Sequence, residues 1–344
     1  VASARAFVQR RKPFATAWKL RGSVYAPTMR ALTLNDGVEL RNIDAPSRER
    51  HEALVQVRLA GVCATDLELA RGYMGFRGVL GHEFVGEVVA SPNARWIGRR
   101  VVGEINVGCG SCARCKAGLS RHCDTRSVLG IKAKDGCFAE YLTLPLDNLI
   151  EVPAQVPDEM AVFTEPLAAA FEILEQVHIG PNSRALVLGD GRLGLLCAMV
   201  LAHIGCDTHM LGRHEAKLAI ARAHGVRTFA LPDGPLHTYG VVVEATGNPE
   251  GLARAIELTE PRGTLVLKTT QRESPALDLN QVVIREISLV GSRCGPFGPA
   301  LRAMASGRID PRPLIHERFD LEEGVRALAR AGEPGVLKVL LQMS

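Results

Sequence analysis

The apolar run Ala185-Leu186-Val187-Leu188 enters Gly189-Asp190-Gly191-Arg192-Leu193-Gly194, and a second, nearly apolar stretch follows as far as Cys206. Few local patterns constrain a chain more. A strand, a GxGxxG turn and a helix in succession form the first unit of a parallel sheet, because parallel strands need a crossover between them. Gly189 permits the tight turn and Gly191 lets the backbone approach a pyrophosphate. Gly194, next to Leu193, lets the helix pack against the strand. The helix N-terminus then offers unpaired N–H groups to an anion. The expected ligand is a nucleotide with two phosphates. Further apolar runs, Gly240 to Val243 and Gly263 to Val266, alternate with helical patterns and continue the βαβ rhythm.

Upstream the texture differs. Short β-branched runs punctuated by glycine, Leu54 to Val62, Gly86 to Ala90, Arg100 to Gly103 and Phe138 to Leu144, predict an antiparallel β domain. With 344 residues, 47% of them hydrophobic and 23% charged, the chain is long enough for two globular domains. The expected division is a leader over 1–28, a β domain over 29–155, a doubly wound parallel sheet over 156–296, and a segment 297–344 that rejoins the first domain. The fold class is α/β.

The net charge of +4 is local. Residues 1–28 hold six Lys or Arg and no acid, which leaves 35 basic against 37 acidic residues downstream. Nothing there calls for nucleic acid. The leader fits an organellar transit segment or an inert extension equally, so the expected location is cytoplasmic, or plastid or mitochondrial in the first case. The longest nearly apolar stretch, Leu193 to Cys206, is shorter than the roughly 20 residues that span a bilayer, and no membrane partner is expected.

Four of the nine cysteines, Cys109, Cys112, Cys115 and Cys123, lie at intervals of three, three and eight. A loop with this spacing can wrap one tetrahedral ion, and four thiolates are a closed, structural zinc set. The alternatives are two local disulfides or a redox pair, and a redox pair would leave the remaining two sulfurs unexplained. A second set is looser: Cys63 with Thr65 in Gly61-Val62-Cys63-Ala64-Thr65-Asp66, His82 19 residues after Cys63 and Glu83 next to it, and Glu165 in Thr164-Glu165-Pro166. One thiolate, one imidazole and one or two carboxylates can hold zinc and leave a position for substrate. Singly, each has a plain structural use.

The strand after the glycine turn ends in Leu211-Gly212-Arg213. An acid there would accept from the ribose of NAD; Gly212 supplies none, and the Arg213 guanidinium suits a 2′-phosphate. NADP is therefore expected over NAD, unless Glu215 serves the ribose from a shifted position.

Taken together, the cysteine lobe, GxCxTD, GHE, EPLA and GxGxxG resemble the zinc-dependent medium-chain dehydrogenases, and most nearly their sorbitol, threonine and sugar dehydrogenase branches. The resemblance covers nearly everything from Met29 onward. It implies a GroES-like catalytic domain around a Rossmann domain, two Zn2+ per chain, and a homodimer or homotetramer. It also implies hydride transfer between a nicotinamide cofactor and a small alcohol, polyol or ketone substrate. By motif, Cys63 and His82 would be zinc ligands with Glu83 or Glu165, and Thr65 would pass on the substrate's proton. Glu68 would stand where many relatives have a relay histidine. Lys338 would reach the cofactor or its shell, or be an exposed strand lysine. A retired zinc- and nucleotide-binding protein and a zinc-free quinone reductase are the alternatives.

Overall fold

The computed structural model describes residues 19–20, 23–24, 27–234, 237–269 and 278–343. The basic leader expected over 1–28 lies almost wholly outside them. Arg184–Leu188 is the central strand of a six-stranded parallel sheet. Across the sheet the strands run Arg227–Ala230, Asp207–Gly212, Arg184–Leu188, Tyr239–Glu244, Thr259–Leu267 and Ser288–Gly291. Chain direction across the sheet reverses between Arg184–Leu188 and Tyr239–Glu244. A crevice therefore opens at the carboxyl ends of those two strands.

Ala185 through Leu188 are all buried, which is why this strand reads as a continuous apolar run rather than an alternating one. Helix Arg192–His203 covers it and buries every residue from Gly194 to Leu201. Each large apolar side chain buried there contributes roughly 1.5 to 3 kcal/mol. Gly189 has φ +106°, and a Cβ on it would stand 2.6 Å from the Ala245 carbonyl oxygen. The turn thus requires glycine on two counts.

The other large sheet is ordered Leu149–Glu151, Arg100–Gly103, Glu83–Ala90, Glu52–Gly61, Lys338–Gln342 and Ile315–Asp320, with Tyr141–Pro145 also paired to Glu52–Gly61. Its pairings are antiparallel except between the last two strands. Lys338–Gln342 joins it with Leu340 opposite Gly61, so the end of the chain is hydrogen-bonded to an early strand. Two strand expectations shift. Pairing with Glu52–Gly61 begins at Tyr141 rather than Phe138, because Gly136, Cys137 and Phe138 bond instead to Val79, Gly81 and Leu80. Thr259–Leu267 starts four residues before its apolar run, across a register shift opposite Tyr239 and Val241.

Helix Thr164–Gln176 joins the two sheets. Its Leu167, Ala170 and Ile173 share one hydrophobic cluster with Leu59, Val85 and Val102 on one side and Val187 and Leu196 on the other. Among the described residues no helix is long and apolar enough to cross a membrane.

Candidate active site and metal centres

Cys63 closes strand Glu52–Gly61 and caps helix Ala64–Ala70. Asp66, fully buried, accepts from the Cys63 N–H at 2.8 Å through Oδ2, and its Oδ1 lies 3.2 Å from His82 Nδ1. One carboxylate thus caps the helix and stands against the imidazole. His82 and Glu83 come from the beginning of strand Glu83–Ala90, which pairs with the end of the Cys63 strand, Gly61 opposite Glu83. Ligand atoms of Cys63, His82 and Glu83 all lie within 4.8 Å of one another. His82 and Glu83 are buried, whereas Cys63 and Thr65 are half-buried, so the cluster is reachable from one side.

Glu83 Oε1 is buried with no hydrogen-bond partner. Its other oxygen pairs with the buried Lys338 ammonium, which also donates to the Val62 carbonyl at 3.3 Å. Gly61 makes room for this pair, since a Cβ there would meet Glu83 and, at 3.4 Å, Lys338 Cδ. Burial drives the His82 imidazole down, but Asp66 and Cys63 outweigh it and hold it well above its ordinary value. A thiolate, an imidazole and an unpartnered carboxylate oxygen gathered this closely form a donor set whose chemistry suits zinc.

Glu165, in the first turn of Thr164–Gln176, lies outside the 4.8 Å set but close enough to His82 and Glu83 to interact with both. Burial pushes its carboxyl up to about 7, against the pull of His82. Thr65 Oγ1 is 3.8 Å from Cys63 Sγ. Glu68 is one turn further along the helix and accepts from Arg71 at 2.7 Å rather than from Thr65. Lys338 is not an exposed strand lysine: it is 2% exposed, because the strand carrying it is inserted beside Gly61 and turns the ammonium onto Glu83.

The four cysteines of the lobe are free thiols with their sulfurs within 4.8 Å of one another. Backbone N–H groups point at them: Cys112 N at Cys109 Sγ, 3.4 Å, and Cys115 N at Cys112 Sγ, 3.5 Å. The Ser111 hydroxyl and nearby N–H groups hold Cys109 down at about 5, while burial and the neighbouring Cys112 push Cys115 up to about 12. Sulfurs so crowded and so surrounded by donors fit a shared cation better than two disulfides. Arg121 ties the lobe to the rest of the molecule through Glu172 at 3.0 Å, and Arg293 donates to the Arg121 carbonyl at 3.1 Å.

The GxGxxG turn lines a cavity of about 410 Å³ at the carboxyl ends of the parallel strands, with Gly189, Gly191, Gly212, Arg213 and Thr246 in its wall. A Cβ on Gly191 would meet nothing within 4 Å, so its backbone faces open space. Leu193 is half-buried in the following helix and Gly194 is buried against the turn. Arg192 donates across to the Leu337 carbonyl at 3.1 Å. Asp66 and Asp190 had no assigned part in the sequence expectations. For Asp66 the signal was its place three residues after Cys63, a capping position.

An alcohol dehydrogenase GroES-like domain model matches residues 49–154, and a zinc-binding dehydrogenase model matches residues 193–306. The L-threonine 3-dehydrogenase of Chelativorans sp. (strain BNC1) is 30% identical over 329 residues, covering 87% of this chain and 94% of that protein. The chain belongs to the zinc-dependent medium-chain alcohol dehydrogenase family. Two solved structures show how far the likeness extends. A short chain alcohol dehydrogenase (rspB) from E. coli CFT073, complexed with NADH, is 27% identical with a TM-score of 0.85, covering 92% of this chain and 100% of that one. A putative zinc-binding dehydrogenase from Sinorhizobium meliloti 1021, bound to NADP, is 28% identical with a TM-score of 0.83, covering 92% and 99%. This medium-chain dehydrogenase is a zinc-binding oxidoreductase that uses NAD or NADP and acts on CH–OH donors.

Proposed function

We propose that the chain oxidises a secondary hydroxyl on a small polar substrate, such as an amino alcohol, polyol or sugar acid, or reduces the matching ketone. Residues 29–155 and 297–344 form its catalytic module and residues 156–296 its cofactor module. The observation that carries this is the convergence of Cys63, His82 and the unpartnered Glu83 oxygen within 4.8 Å of one another, with Cys63 half-buried. A zinc ion held there would polarise the substrate oxygen while the nicotinamide carries the hydride.

The chain's own residues do the rest. Asp66 fixes the His82 ring and so presents Nε2 to the donor set. Glu83 and Glu165 are the two candidate carboxylate ligands, the first anchored by Lys338 and the second close enough to interact with His82 and Glu83. Thr65 takes the proton from the substrate hydroxyl, and Glu68 is the next acceptor outward once Arg71 yields it. Thr65→Val removes the hydroxyl at nearly constant volume and should lower kcat by more than roughly a hundredfold, the lower end of what positioned proton transfer contributes. Zinc content and cofactor binding should be unchanged. Glu68→Gln should do less and mainly alter the pH profile, because water can serve the outer end. Assay of alcohols, polyols and amino alcohols with both cofactors tests the whole reading. Near-normal turnover by Thr65→Val would remove the relay, and no activity on any of them would remove the reaction.

NADP is the proposed cofactor. Relatives have been crystallised with NADH and with NADP, so the fold admits both and side chains at the ribose end must decide. Gly212 contributes no strand-end acid, and the exposed Arg213 guanidinium stands at the cavity rim, 3.9 Å from Glu250. Arg213→Ala should weaken NADP(H) by roughly ten- to a hundredfold, the worth of a charge-assisted contact, with little effect on NAD(H). Titration showing NAD preferred by the unmutated protein would refute this.

A homodimer, or a tetramer built from it, is proposed through the sheet edge. Strand Ser288–Gly291 is the edge, and helix Leu279–Ile284 exposes Leu279, Val283 and Ile284 beside it. Sedimentation equilibrium at a single-chain mass would exclude it.

A further inference from the structure

The strand-end acid absent at Gly212 has a counterpart that comes from elsewhere in the chain. Asp190, the first variable residue of the GxGxxG turn, is buried to 8% and reaches across the cavity floor. Its Oδ2 accepts from the N–H groups of Arg213, at 2.7 Å, and His214, at 2.6 Å. The His214 ring Nδ1 lies 3.0 Å from Oδ2 and 3.2 Å from Oδ1, and Oδ1 retains further acceptor capacity. A Cβ on Gly212 would come within 2.7 Å of Asp190 Cβ and 2.8 Å of Oδ2. The two positions are therefore coupled: residue 212 lacks a side chain because the carboxylate of residue 190 fills that volume. Burial raises the Asp190 carboxyl, but the His214 and Arg213 N–H groups outweigh it, so the group is an anion at neutral pH.

We propose that Asp190 is a specificity-determining residue of the cofactor pocket, a carboxylate supplied by the glycine turn that accepts from the adenosine ribose and restrains the preference for a 2′-phosphate. This rests on the reading of the cavity as the adenosine-ribose pocket. A ribose 2′-hydroxyl donates to Asp190, whereas a 2′-phosphate meets this fixed anion at the floor and the Arg213 guanidinium at the rim. Glu250 and Arg254, from helix Pro249–Leu258, complete the charges around it, with Arg254 already paired to Glu257 at 2.7 Å. The pocket thus holds two opposed determinants, Arg213 for the phosphate and Asp190 for the hydroxyl.

The test is calorimetric titration of 5′-AMP and 2′,5′-ADP, the adenosine halves of the two cofactors, into the unmutated protein, Asp190→Asn and Asp190→Ser. Asn keeps the volume, and Ser keeps an acceptor for the Arg213 and His214 N–H groups. In each variant 2′,5′-ADP should bind more tightly and 5′-AMP more weakly. The ratio should move toward the phosphorylated ligand by roughly tenfold or more, as expected when one charged partner is removed. A clamp with no part in selection would weaken both ligands by the same factor, and that result would overturn the proposal, as would unchanged affinities. If neither ligand bound the unmutated protein, the reading of the cavity itself would fail. A preference for 5′-AMP in the unmutated protein would refute the NADP assignment while leaving the opposite shifts at Asp190 intact.

Discussion

Cys63→Ser protein should fold, bind nicotinamide cofactor and turn over substrate more than roughly a hundredfold more slowly. Removing even an outer partner of a catalytic metal costs 10- to 100-fold, and Cys63 is the only thiol in its donor set. The fold survives because Cys63 is half-buried and the cap of helix Ala64–Ala70 rests on its backbone N–H and Asp66, which serine preserves. Zinc per chain should fall from about two to about one, the closed four-thiolate site staying filled. Metal analysis and thermal melting on the same sample read this directly. A large fall in Tm with retained turnover would invert the role assigned to Cys63.

Cys112→Ser should do the opposite, with stability failing first. Apparent binding energies of structural zinc are about 10 kcal/mol or more, comparable with the 5 to 15 kcal/mol that separates a native domain from its unfolded state. Cys112 also caps the short helix Ala113–Lys116 and accepts from the Cys115 N–H, so its loss removes a ligand and a local hydrogen bond together. The damage should spread, because Arg121 joins the lobe to Glu172 and the Cys294 carbonyl. The expected result is a lowered Tm, loss of one zinc per chain, and turnover that falls with the folded fraction. Chelation of the unmutated protein should produce the same loss of Tm. If Cys63→Ser and Cys112→Ser behave alike in both readouts, the two donor sets do not have different roles.

The two sets were legible to different degrees. Cys109, Cys112, Cys115 and Cys123 lie within one loop, so their spacing nearly determines that their sulfurs can meet. Cys63, His82 and Glu83 became a set only through strand pairing, Gly61 opposite Glu83. Their sequence signal was the combination of residue types in order, and family resemblance turned it into a pocket. Glu165 illustrates the limit. Its motif stood in the expected place, yet only packing decides that it lies outside the close set and that burial holds it near neutrality.

By itself the sequence determined what short-range geometry controls: the strand, glycine turn and helix of the parallel sheet, the closed cysteine lobe, and the donor types available for a catalytic metal. Backbone sterics and ligand spacing act over a few residues, and they leave a pattern that can be read along the chain. Only the tertiary structure decided which carboxylate faces which cation. Lys338 meets Glu83 across 255 residues, because the last strand is inserted beside Gly61. Asp190 meets the Arg213 and His214 N–H groups because two parallel strands end side by side. Both partnerships depend on strand order and register, which no local stretch encodes, and in a buried site the partner sets a carboxylate's charge and task.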